Sequence, residues 1–138
     1  MSSPLLLPIS FGEAADKMTI LQIKRERIRA SNKLVHIEAE LAEVSQRFFA
    51  AAGHRPGLDV LLAELKSVNQ TLWDHEDAIR IHECRADFGP EFVQVARSIY
   101  LTNDRRARLK REIDLLLDSR FMEEKSYIEH VQGPEERR

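Results

Sequence analysis

Helix breakers are scarce in this chain. Five glycines and five prolines in 138 residues fall near the two termini and in two short turns. That distribution excludes collagen-like and low-complexity classes and leaves long uninterrupted stretches between the turns. The single cysteine, Cys84, excludes an internal disulfide and fits a reducing compartment; without a placed histidine it is a poor nucleophile candidate. No apolar run approaches the length of a membrane span. Leu5-Leu6-Leu7 lies between two prolines and follows no basic segment, so no signal peptide is expected. A net charge of −2 provides no global field toward nucleic acid or membrane. Five histidines form no HExxH pattern, and His75 and His82 stand two turns apart, too far for one zinc ion. There is no phosphate-binding glycine loop and no GxSxG. The expectation is a cytoplasmic protein with no metal and no cofactor.

What the chain does have is 43% hydrophobic and 32% charged residues. With so few breakers, this composition favours long amphipathic helices. The fold class read from it is all-α: an antiparallel bundle of three long helices, 11–52, 58–85 and 90–117, plus a short C-terminal helix from Arg120 to Val131. An extended arm, 1–9, precedes one helical domain, 10–131, and a polar tail, 132–138, follows. Ser10 and Glu13 have capping-box spacing. Gly53-His54-Arg55-Pro56-Gly57 and Asp87-Phe88-Gly89-Pro90 mark the turns.

The first helix contains a phase change. Ala14, Met18, Leu21, Ile28 and Val35 share one face, while Leu34, Ile37, Leu41, Val44 and Phe48 share another about 160° away at 100° per residue. The crossover falls near Ser31-Asn32, two weak helix formers. Either one straight helix has different partners on its two sides, or it bends or breaks there. If it is straight, residues 11–23 project beyond the other two helices by roughly 20 Å. The overhang carries Ala14, Met18 and Leu21, an apolar patch that a second copy would cover. The expectation is therefore a homodimer through helix 1, with fold-back within the monomer as the other possibility.

Polar residues interrupt the apolar stripes of the other two helices. Asn69 and Glu76 sit in the stripe of helix 58–85, and Asn103, Arg106 and Lys110 in that of helix 90–117. Antiparallel pairing about the Asp87-Pro90 turn brings them to one level. Buried charge must be paired, so the expected arrangement is a register-fixing polar layer centred on Glu76, with a ligand site or simple surface exposure as the alternatives. Removing Glu76 would then strand the others. The basic runs 24–29 and 105–111 alternate with acidic blocks, and no aromatic array accompanies them, so no nucleic-acid binding is expected.

Four stretches carry a resemblance: Pro8-Ile9-Ser10-Phe11-Gly12-Glu13-Ala14-Ala15-Asp16-Lys17-Met18, Leu72-Trp73-Asp74-His75-Glu76-Asp77-Ala78-Ile79-Arg80, Ala96-Arg97-Ser98-Ile99-Tyr100 with Asn103-Asp104-Arg105-Arg106, and Glu123-Glu124-Lys125-Ser126-Tyr127. Together they resemble a family of short, stand-alone, all-helical bacterial proteins of unknown function. The resemblance implies a helical domain and assigns no activity. It places Glu13, Asp16, Lys17, Asp77, Arg80, Asp104 and Arg105, with Glu76 and Asn103, in family-like motifs. The leading functional reading is a non-enzymatic oligomerisation or accessory protein whose partner is a second copy or another protein. The alternative is a small helical-bundle enzyme or a binder of an anionic small molecule. By analogy with chorismate-mutase-like bundles, Arg25, Arg106, Lys110 and Glu76 have suitable residue types for it, though not that family's spacing.

Overall fold

The computed structural model describes residues 2–128. Among them are four helices and no strand: α1 (Phe11–Arg27), α2 (Ser31–Ala52), α3 (Leu58–Cys84) and α4 (Pro90–Leu116). The last two begin and end within a residue of the sequence expectation. Gly53 and Gly57 both have positive φ, +66° and +90°, which explains glycine on either side of the first turn. Pro90 occupies the first turn of α4, where its missing N–H costs nothing.

The expected helix 11–52 is two helices. Ile28 and Ala30 adopt extended backbone, with ψ of 133° and 117°, and end α1 three residues before α2 starts. No proline or glycine forces this break. The phase change drives it, because both apolar stripes can face inward only if the chain reverses between them. α2 folds back antiparallel on α1, with the Phe11 and Phe48 rings 6.0 Å apart and Lys17 paired to Glu40 at 3.4 Å. α3 and α4 form a second antiparallel hairpin, closed near its turn by His82 against Phe92.

The hairpins stack in layers. α1 contacts α2, α3 and α4, whereas α2 contacts α1 alone among the helices. α1 is thus the central element, and Ala15, Met18, Leu21 and Ile23 are all buried at 3% exposure or less. This removes the premise for a dimer through helix 1. Met18 and Leu21 lie in the core and Ala14 packs against it, covered from within the monomer. Burying a Leu or Met side chain contributes roughly 2 kcal/mol, so fold-back needs no partner to be favourable.

The C-terminal expectation also changes. Residues 120–128 form no helix, and 129–131, the end of the expected short helix, lie outside the described residues together with the tail. Charge pairing rather than helix formation holds this segment. Glu123 reaches Lys110 at 3.0 Å, and Arg111 holds Glu124 at 2.7 Å.

Candidate functional site

The polar layer exists, but its anionic centre is on α1. Asp16, 7% exposed at its side chain, accepts from Arg106 Nε at 2.8 Å through Oδ1 and from Arg106 Nη2 through Oδ2. Asn69 Nδ2 donates to the same Oδ1 at 3.0 Å and to Thr19 Oγ1 at 3.0 Å. Thr19 in turn donates to the Asp16 carbonyl at 2.9 Å. Arg106 Nη1 reaches Asn103 Oδ1 at 3.4 Å. One carboxylate thus ties α1 to both α3 and α4. The two-pronged guanidinium–carboxylate pair fixes direction as well as distance.

One turn toward the C-terminus of α4, and toward the N-terminus of α1, Lys110 forms a second knot. Its ammonium is buried between Glu13 at 2.5 Å and Glu123 at 3.0 Å. A third lies at the start of α1. Asp114, 1% exposed, accepts from the Gly12 N–H at 2.7 Å, from Ser119 Oγ at 3.0 Å and from the Glu123 N–H at 3.1 Å. Ser119 Oγ accepts from the Phe11 N–H at 3.0 Å, and Ser10 caps the helix by accepting from the Glu13 N–H at 3.0 Å. A carboxylate at a helix N-terminus is favoured by the unsatisfied N–H groups and their summed dipole. The approach is close because residue 12 is glycine: a Cβ there would lie 2.3 Å from the Lys110 carbonyl oxygen.

These contacts move the titrations away from neutrality. The bond to Lys110 holds the Glu13 carboxyl below its ordinary value. Burial alone would lower Lys110, but its bonds to Glu13 and Glu123 outweigh burial and hold it above its ordinary value. Asp16 raises Arg106 in the same way, against its partial burial. Catalytic acids and bases are usually tuned toward the working pH, and these groups are tuned away from it. Among the described residues no buried side-chain nitrogen or oxygen lacks a hydrogen-bond partner.

Glu76 does not occupy the position expected of it. Its side chain is 47% exposed and pairs with Arg80 on the next turn at 2.5 Å. The stripe arithmetic placed it on the inner face of α3, but α1 crosses that face lower down, at Asn69. Glu76, Asn69, Asn103 and Arg106 do converge on an open cleft of about 360 Å³, with Ile20, Leu72 and Trp73 supplying its apolar lining and Asp77 and Arg80 also at its edge. Lys110 belongs to the Glu13–Glu123 knot instead. Of the remaining family-like positions, Lys17 pairs with Glu40, Asp104 is half-buried and Arg105 is exposed. Arg25 is exposed near the end of α1. Sequence reasoning missed Asp114 and the role of Gly12; Asp114 stands next to Ile113 in the apolar stripe region of α4, but exposed Glu112 flanks Ile113 on the other side and the pattern does not separate the two acids.

Among the described residues no cluster of three or more His, Cys, Asp or Glu could hold a metal ion, and no helix is long and apolar enough to cross a membrane. No curated protein and no solved structure matches the chain. A family model does match, over residues 5–137, and on that evidence the chain belongs to the family of unknown function DUF6165.

Proposed function

We propose that this protein is a non-catalytic helical interaction module, acting by presenting surfaces to another protein chain rather than by transforming a small molecule. The observation that carries this reading is the self-sufficiency of its polar layer. Asp16, Arg106, Asn69, Lys110 and Asp114 are spent on one another, on Glu13 and Glu123 and on helix ends, and among the described residues no buried side-chain polar atom is left over for a substrate. Glu13, Arg106 and Lys110 are also held away from neutral pH, which removes them from general acid–base work. Self-association is the partnership the reading favours, through a surface other than the buried face of α1.

One observation favours a second reading. Asn69, Glu76, Asn103 and Arg106 share a cleft with Trp73, and a small polar molecule could lie there. Its edge mixes Glu76 and Asp77 with Arg80 and Arg106, and Asp16 lies behind Arg106, so an anion gains little from it. A thermal-shift screen against a metabolite library separates the two. The interaction reading expects no compound to raise the melting temperature in a saturable way. A saturable shift that disappears in Glu76→Gln would overturn it and establish the cleft as a binding site.

A further inference from the structure

Burial stops abruptly along the α3–α4 hairpin. Leu72 is the last buried residue on α3 and Thr102 the first on α4; from Trp73 to Leu101 none is buried. On α3, α1 reaches as far as Trp73 and Asp74, both contacted by Arg27. Beyond that level the two helices stand alone for roughly 15 Å, and two helices by themselves cannot bury an apolar stripe. The tip carries one. Val93, Ala96 and Tyr100 repeat at 3-4 spacing along α4, with Val93 50% and Tyr100 47% exposed. Phe88, 54% exposed, packs edge-on against Phe92 at 5.2 Å and extends the strip. The tip is net acidic: over residues 75–99 the acids Glu76, Asp77, Glu83, Asp87 and Glu91 outnumber the bases Arg80, Arg85 and Arg97, and Asp77 and Glu83 are in no ion pair among the described residues.

The opposite chemistry lies at the α1–α2 turn. Lys24, Arg25, Arg29 and Lys33 form no ion pair among the described residues, while their neighbours Glu26 and Arg27 are paired to Lys66 and Asp74. α2 starts there with no side-chain cap and no acid in its first turn. Val35, 66% exposed, follows at once, on the side of α2 away from its seam with α1. One chain therefore carries a net acidic tip with an exposed apolar strip and a basic turn followed by the exposed Val35.

We infer that the α3–α4 tip is a self-association surface, and that the α1–α2 turn of a second copy covers it. Each chain carries both patches, and the arrangement inferred is the two-fold one: the tip of each copy meets the turn of the other, so the assembly closes at two instead of extending head to tail. The inference rests on the interaction-module reading and names its partner.

Light scattering and sedimentation over a concentration series test it. The mass should rise from 16.0 kDa toward twice that value, and less so in high salt, which screens exposed charge. Val93→Glu, on an exposed position, should leave helicity and melting unchanged and abolish the rise. Asp77→Lys with Glu83→Lys makes the tip basic, and Arg29→Glu with Lys33→Glu makes the turn acidic. Each double variant alone should self-associate at least tenfold more weakly. Mixing the two should restore a heterodimer, because each tip then meets a turn of opposite sign. A wild-type monomer throughout, a dimer indifferent to these changes, or a mixture that stays monomeric overturns the inference. None of those results bears on whether a small molecule binds the cleft, so the two proposals fail separately.

Discussion

Gly12→Ala sets two physical effects of opposite sign against each other. By local propensity, alanine in a helix is better than glycine by roughly 0.5–1 kcal/mol. By packing, the new Cβ would sit 2.3 Å from the Lys110 carbonyl oxygen and 2.9 Å from Asp114 Oδ1. A carbon tolerates an oxygen at about 3.3 Å, so the start of α1 must retreat by about 1 Å. The obstacle is backbone on α4 and cannot rotate away. That retreat stretches the 2.7 Å bond from the Gly12 N–H to Asp114 out of hydrogen-bonding range. Overpacking costs about 1–3 kcal/mol and the lost bond to a buried carboxylate about 1.5–3 kcal/mol. The net expectation is a loss of about 3 kcal/mol, with propensity overruled. Urea denaturation followed by circular dichroism measures it, as a lower midpoint at unchanged slope. Asp114→Ala should cost a similar amount alone and much less when added to Gly12→Ala, since both break the same contact. A Gly12→Ala protein as stable as wild type would refute the reasoning, and with it the tight seating of α1 on α4.

Two further outcomes follow from the layer. Asp16→Ala strands Arg106 and Asn69 and should cost about 3–5 kcal/mol, whereas Glu76→Ala should cost under about 0.5 kcal/mol because its pair with Arg80 is exposed; parallel urea melts compare them. The pH profile has two limbs. Glu13, depressed below its ordinary 4.5, contributes stability that is present above that value and is lost as pH falls through its folded-state value. Lys110, raised above its ordinary 10.5, contributes stability that is full below that value and is lost as pH rises through its folded-state value. Lys110→Met should therefore be less stable than wild type at neutral pH, and the gap should narrow as pH falls through the folded-state value of Glu13, which then no longer needs a cation. A gap independent of pH would show that the knot does not act through charge.

Much of the architecture was legible from patterning. Turn glycines and prolines located α3 and α4, Ser10 and Glu13 located the start of α1, and the two stripes of 11–52 disclosed a change of facing direction. Asn69, Asn103, Arg106 and Lys110 were identifiable as polar residues in apolar stripes, and three of them meet around one carboxylate or its cleft. The identity of that carboxylate was not legible, because it depends on which helix crosses the α3–α4 hairpin and at what level. Taking 11–52 as straight left α1 hanging clear, so the missing anion was assigned to Glu76 within the hairpin. Once Ile28–Ala30 reverses the chain, Asp16 takes that position and Glu76 faces solvent. Residues 11–23 do not overhang; the part of the fold that projects is the α3–α4 tip. The break itself has no proline or glycine to announce it, and Asp114 reads in sequence like any surface acid.

The reversal at Ile28–Ala30 also has a consequence in time. Of the four helices α1 is synthesised before the others and is the last whose contacts can be completed. Its bonds to Asn69, Arg106 and Asp114 span 53, 90 and 102 residues of chain. The α1–α2 and α3–α4 hairpins can each zip up locally, but the core closes only when the finished second hairpin docks on α1. At roughly 5–20 residues per second, the ribosome needs about 5–20 s to supply those partners. Through that interval Met18, Leu21 and Ile23 have only α2 to cover them. The face that is sealed in the folded chain is therefore exposed on the nascent one. A chain cut short at Asp118 would keep Asp114 but lose the Ser119 and Glu123 contacts that finish the closure.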